Sequence, residues 1–194
     1  MATYQAIAAI SSAIVTALKD ASPGSPFEGM SFDIYGTKQF EKPMDEGVSL
    51  FLFRLGSGSR RNLPLRVGRN GDTYRPLIAV DLHYLVTAWG KTPAKQQMLL
   101  GWSLSQLAGL SAIPAFMLNN FSPDVFQPQD TVELIFDPLS LQDIANLWEP
   151  LKSNYQASAT YVARMVVIES VVAPSPQTPV QTRQFDFGKE SVQP

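Results

Sequence analysis

The run Leu77-Ile78-Ala79-Val80-Asp81-Leu82-His83-Tyr84-Leu85-Val86-Thr87-Ala88-Trp89 decides how the chain folds. Ile78, Val80, Leu82, Tyr84, Val86 and Ala88 alternate with a mixed set that includes Asp81, His83 and Thr87, which is the two-residue period of a strand. Thirteen residues of β-favouring sequence predict a strand crossing the middle of a sheet. Upstream, Val48 to Leu55 predicts a second strand, with Phe51 and Phe53 on one face and Val48, Leu50 and Leu52 on the other. Apolar residues on both faces imply a strand covered on both sides.

Working outward, Phe32 to Tyr35 and Thr131 to Phe136 read as further strands, and Tyr155 to Val172 as a strand long enough to be bent or divided. In that last element Tyr161, Ala163, Met165 and Val167 fall on one face and Val162, Val166 and Ile168 on the other. Helices are predicted where the period changes. Tyr4, Ile7, Ile10, Ile14 and Leu18 recur every three or four residues over Tyr4 to Lys19, with Thr3 as N-cap and Ser22-Pro23-Gly24 as the stop. Thr92 and Pro93 open a helix through about Leu107, burying Leu99, Leu100, Trp102, Leu104 and Leu107 and leaving Lys95, Gln96 and Gln106 to solvent or a partner. Ser140 and Asp143 form the start of a short helix carrying Leu141, Ile144 and Trp148, closed by Pro150. The fold class is therefore α/β, in the α+β sense: a single mixed, mainly antiparallel sheet packed against a few helices. Residues 1–172 form the domain and residues 173–194, with Pro174, Pro176, Pro179 and Pro194, an extended C-terminal arm. In the arm Arg183, Phe185 and Phe187 alternate with polar residues, a pattern able to pair with another protein's sheet edge.

Composition narrows the function. Charged residues are only 16% of the chain and apolar ones 45%, leaving an uncharged surface suited to large buried contacts. A net charge of -2 argues against general attraction to nucleic acid or anionic membrane, and no apolar run predicts membrane insertion. The start has no basic region or cleavage motif of a signal peptide. Six of the eight arginines lie between Arg54 and Arg75, opposed only by Asp72, and five of them fall in the Gly- and Pro-containing stretch Gly56 to Arg75, which reads as a long loop or hairpin. Docking on a partner's carboxylates competes there with a solvated loop and a phosphate-binding patch, and Arg54, Arg60 and Arg61 are the candidates for the docking contact.

No catalytic set emerges. The chain lacks Walker, GxGxxG, HExxH and GxSxG motifs, and Gly56-Ser57-Gly58 is no more than a turn. With no cysteine and one histidine, the chain offers no expected metal site, and no cofactor is expected. Asp45 and Glu46, beside Gly47, read as a solvated pair. His83 reads as a hydrogen-bonded packing residue. The alternative from another class is a small ligand-binding or hydrolytic α/β module with its site around Asp81 and His83.

Val48 to Arg54, Pro76 to Ala88, Leu139 to Trp148 and Tyr155 to Ser170 carry a resemblance. The chain resembles the tail-terminator, or cap, family of extracellular contractile injection systems, phage-tail-like particles related to the antifeeding prophage. Asp81-Leu82-His83-Tyr84-Leu85 is its most specific part, and the arm falls outside it. The resemblance implies a non-enzymatic homo-oligomeric ring, expected to be a hexamer, ending the inner tube and the last sheath layer. It implies assembly in the bacterial cytoplasm, into a particle that stays there, is anchored in a membrane or is released. Arg183, Phe185 and Phe187 would then bind the sheath.

Overall fold

A computed structural model describes residues 2–58, 77–151 and 154–169. Its described elements run α1 (Ala6–Asp20), β1 (Ser31–Tyr35), a 3-10 turn (Thr37–Glu41), β2 (Gly47–Ser57), β3 (Leu77–Trp89) and α2 (Pro93–Gly109). They continue with β4 (Ala112–Pro114), α3 (Ala115–Leu118), β5 (Thr131–Phe136), α4 (Leu141–Trp148), a 3-10 turn (Glu149–Leu151) and β6 (Ser158–Glu169). The strands form one sheet in the order β1-β2-β3-β6-β5-β4, parallel between β1 and β2 and antiparallel elsewhere. This is the mixed, mainly antiparallel sheet the sequence predicts, with β3 in its interior.

The two-residue period of β3 divides the core. Leu82, Tyr84, Val86 and Ala88 pack with Val48 and Leu50 of β2 against α1, α2 and α3. Burial of each leucine and valine among them contributes roughly 1.5–3 kcal/mol. Leu85 and Trp89, on the other face, join Tyr35, Phe40, Trp148 and Leu151, with Phe51 and Phe53 at the margin. β2 is thus covered on both sides. Buried polar groups on these strands are paired: the Trp89 indole donates to Ser49 Oγ at 2.8 Å, and Thr87 Oγ1 lies 3.1 Å from Ser158 Oγ. Across the first layer Ser11 Oγ donates to the Ile7 carbonyl, so the Tyr84 hydroxyl, 2.9 Å away, donates to Ser11. Burial raises the Tyr84 pKa well above the ordinary phenol value, and the Ser11 contact only partly opposes it.

Several elements depart from their sequence reading. Helix α1 starts at Ala6, because Ala2 is tied in parallel beside β6, donating to Val167 O and accepting from Glu169 N, while Thr3 N–H donates to Val125 O. Tyr4, predicted on the buried face, is consequently 70% exposed. Thr3 does not cap the helix; its hydroxyl accepts from Gln5 N–H at 3.4 Å, and Gln5 is the N-cap. In α2 Thr92 caps as predicted, accepting from Lys95 N–H. Gln96, however, turns inward and donates to the Ala88 carbonyl and to Gln156.

The bend expected in the last strand is a bulge. Leu82 pairs with Ala163 but Val80 with Val166, so Arg164 and Met165 together oppose Asp81. Met165 takes φ +66°, a left-handed conformation that costs a non-glycine residue about 1–2 kcal/mol. The extra residue exchanges the faces beyond it. Val166 and Ile168, not Met165 and Val167, therefore continue the core face of Tyr161 and Ala163, and Met165 is half exposed.

Candidate functional site

The predicted site residues fall in different places. Arg54 is exposed near the end of β2, paired in register with His83 just after a bulge at Phe53. Arg60 and Arg61 lie outside the described residues, in the segment joining β2 to β3. Arg183, Phe185 and Phe187 also lie outside them. The antiparallel pairing of β2 and β3 runs to Ser57 and Val80, and Gly58 N–H donates to the Ala79 carbonyl, so that arginine-rich segment leaves from one end of the sheet.

Asp81 and His83 do not make the site that the alternative reading placed there. His83 packs its ring against Phe53, with centroids 6.0 Å apart, and its Nε2 closes so tightly on Gly56 that an added Cβ there would lie 2.9 Å from it. Its Nδ1 stands 3.9 Å from Asp137 Oδ2. Asp81 pairs with Gly56 and faces the bulge in β6. The His83 ring packs as its place in mid-strand predicts, but the expected hydrogen bond is replaced by the longer approach to Asp137. Among the described residues no group of three or more His, Cys, Asp and Glu side chains is placed to hold a metal ion. Glu46, read as half of a solvated pair, instead anchors two lysines: Lys95 Nζ is 2.7 Å from Oε1 and Lys91 Nζ 3.7 Å from Oε2. The hydrogen bond from Lys95, with the charge of both lysines, holds its carboxyl below the usual glutamate range.

What the surface offers is apolar contact. Leu55 and Ile78, on β2 and β3, are 55% and 48% exposed near the end from which the arginine-rich segment departs. Phe116 and Phe121, around α3, are also exposed. The outer strands are guarded against indiscriminate pairing. Asp33 Oδ1 takes the Ile34 N–H on β1, and β4 has only three residues, the last of them Pro114. On the other face, Leu141, Ile144, Ala145, Trp148, Glu149 and Tyr155 line an open groove of about 450 Å³. Trp148 is held by ring contacts to Phe40, Trp89 and Tyr155. Among the described residues its buried indole Nε1 has no hydrogen-bond partner.

Phe40 is the residue that sequence reasoning missed. It stands alone in polar sequence, Lys38-Gln39-Phe40-Glu41-Lys42, on a 3-10 turn without detectable periodicity. Yet it is fully buried and touches Tyr35, Phe51, Trp89 and Trp148. An aromatic residue set between Lys38-Gln39 and Glu41-Lys42 was the available signal.

A family model described as the Pvc16 N-terminal domain matches residues 8–182. The chain belongs to the Pvc16 N-terminal domain family. The match extends past the end of β6, so the family's sequence pattern includes the first part of the predicted arm. No curated protein matches the chain. Among solved structures, this Pvc16 N-terminal domain is similar to the sheath/tube terminator of PVC, an extracellular contractile injection system, in its extended state. The TM-score is 0.58 at 16% identity, covering 96% of this chain and 64% of that one. It is also similar to the tube-terminating cap of the anti-feeding prophage, with a TM-score of 0.58 at 15% identity, covering 89% of this chain and 58% of that one. At these identities the likeness shows a shared fold. The chain spans about three fifths of the length of these two proteins.

Proposed function

We propose that this protein is a terminating cap of a contractile injection system, which ends the inner tube and the last sheath layer by assembly and performs no catalysis. The observation that carries the reading is family membership over residues 8–182 together with a fold shared, across 96% of the chain, with a sheath/tube terminator. The exposed apolar side chains and low charge support it, because a subunit buried in a particle needs contact surface more than solvation.

In this reading copies of the chain form a ring, expected to be hexameric, and the particle assembles in the cytoplasm. Arg54, Arg60 and Arg61 meet acidic groups of the tube or of a neighbouring cap subunit. The arm, residues 173–194, adds its Arg183 to Phe187 segment to a sheath edge as a strand. Deleting residues 173–194 is expected to leave a folded domain that no longer co-purifies with sheath. Undiminished sheath binding by the folded deletion would refute the role of the arm. Charge reversal at Arg54, Arg60 and Arg61 is expected to abolish assembly onto tubes, and normal assembly would remove the docking assignment.

A further inference from the structure

Trp148 presents an unresolved polar requirement. A buried donor without an acceptor costs about 1–3 kcal/mol, and indoles in protein interiors almost always find a partner. Trp148 is only 3% exposed and its Nε1 has none among the described residues, although Trp89, beside it, donates to Ser49. Trp148 also lines the groove described above. Leu141, lining the groove, is 81% exposed, and Tyr155, edge-on to Trp148, is 56% exposed. An apolar groove whose wall holds a buried donor lacking an acceptor matches an extended segment bringing an aromatic side chain and a backbone carbonyl.

We propose that the groove beside α4 holds the chain's own segment Arg183-Gln184-Phe185-Asp186-Phe187. The chemistry corresponds position by position. A phenylalanine covers Leu141 and Ile144, while a backbone carbonyl accepts from Trp148 Nε1 as the half-exposed Tyr155 ring moves aside. Arg183 meets Glu149 on the groove wall; α4 and the turn after it carry the acids Asp143 and Glu149 and no base.

The reach is sufficient. The described part of β6 ends at Glu169, opposite Leu77, and the groove lies at the other end of β6, beyond Ser158. Returning along that strand requires about 40 Å. Residues 170–184 span about 50 Å when extended. A sheath edge would have to compete with this contact, which would keep a strand-capable segment occupied until the particle is ready. That competition rests on the cap reading, whereas the groove contact itself does not.

The test is the indole N–H spectrum of the isolated full-length protein, compared with Leu141→Lys and with the double variant Phe185→Ala/Phe187→Ala. In the native chain the Trp148 resonance is expected to be hydrogen-bonded and slow to exchange. Both variants should shift it and speed its exchange at least tenfold. Leu141 and the two phenylalanines lie outside the described core, and the Trp89 resonance, unchanged, verifies the fold. A peptide of residues 180–190, added to the double variant, should restore the native signal saturably. Identical Trp148 signals in all three proteins would overturn the proposal. So would a native signal that depends on protein concentration, since that assigns the groove to a second copy.

Discussion

Met165 carries a backbone cost that its own side chain does not repay. At φ +66° and half exposed, it loses about 1–2 kcal/mol to its conformation and gains little from packing. Glycine adopts that conformation freely but loses about 0.5–1 kcal/mol of chain entropy. Met165→Gly is therefore expected to raise the free energy of unfolding by about 0.5–1 kcal/mol, the difference between these terms. Urea denaturation measures it, and a lowered midpoint would show that the Met165 side chain supports the bulge. The same residue shows where sequence reading stops. Alternation assigns faces correctly through Ala163, but one inserted residue reverses them, and nothing in Arg164-Met165-Val166 announces the insertion.

Elements were legible in proportion to the local signals that bound them. β3 and β5 agree with their predicted limits because their β-favouring runs are bounded by strand-breaking residues, Pro76 and Gly90 for β3 and Asp130 and Asp137 for β5. Helices α2 and α4 were readable from Thr92-Pro93 and Ser140-Asp143, whose side chains make the predicted caps. β4 and α3 were not, since three and four residues are too few for a period to show. Long-range pairing was equally invisible. Glu46, just before β2, reaches Lys91 and Lys95 at the start of α2, tying two elements that adjacent carboxylates alone do not connect. Because its folded pKa is depressed, its contribution is complete above the unfolded value of about 4.3 and disappears as pH falls through the lower folded value. Glu46→Gln should thus lower the melting temperature at neutral pH, with the gap from the native protein closing below about pH 4. A gap that stays constant through that range would place its origin outside the ion pairs.

At the scale of the whole molecule, the described sheet has α1, α2 and α3 on one face and α4 with a smaller aromatic layer on the other, with exposed apolar side chains at several margins. Sequence alone supplied the sheet-centred architecture. It did not locate the groove beside α4, because Leu141, Trp148 and Tyr155 come together only when Phe40 and Trp89 support them from below. Nor does sequence periodicity report which surface meets another subunit, as the same apolar residues serve a core and an interface. Assembly into a terminating cap is the central proposal, and it is tested most directly by electron microscopy of particles from cells with and without this gene. The account predicts that its loss yields tubes and sheaths of uncontrolled length with open ends, and that the protein, when present, is seen as a ring on the terminal layer. Particles of unchanged length with normally closed ends in its absence would contradict it.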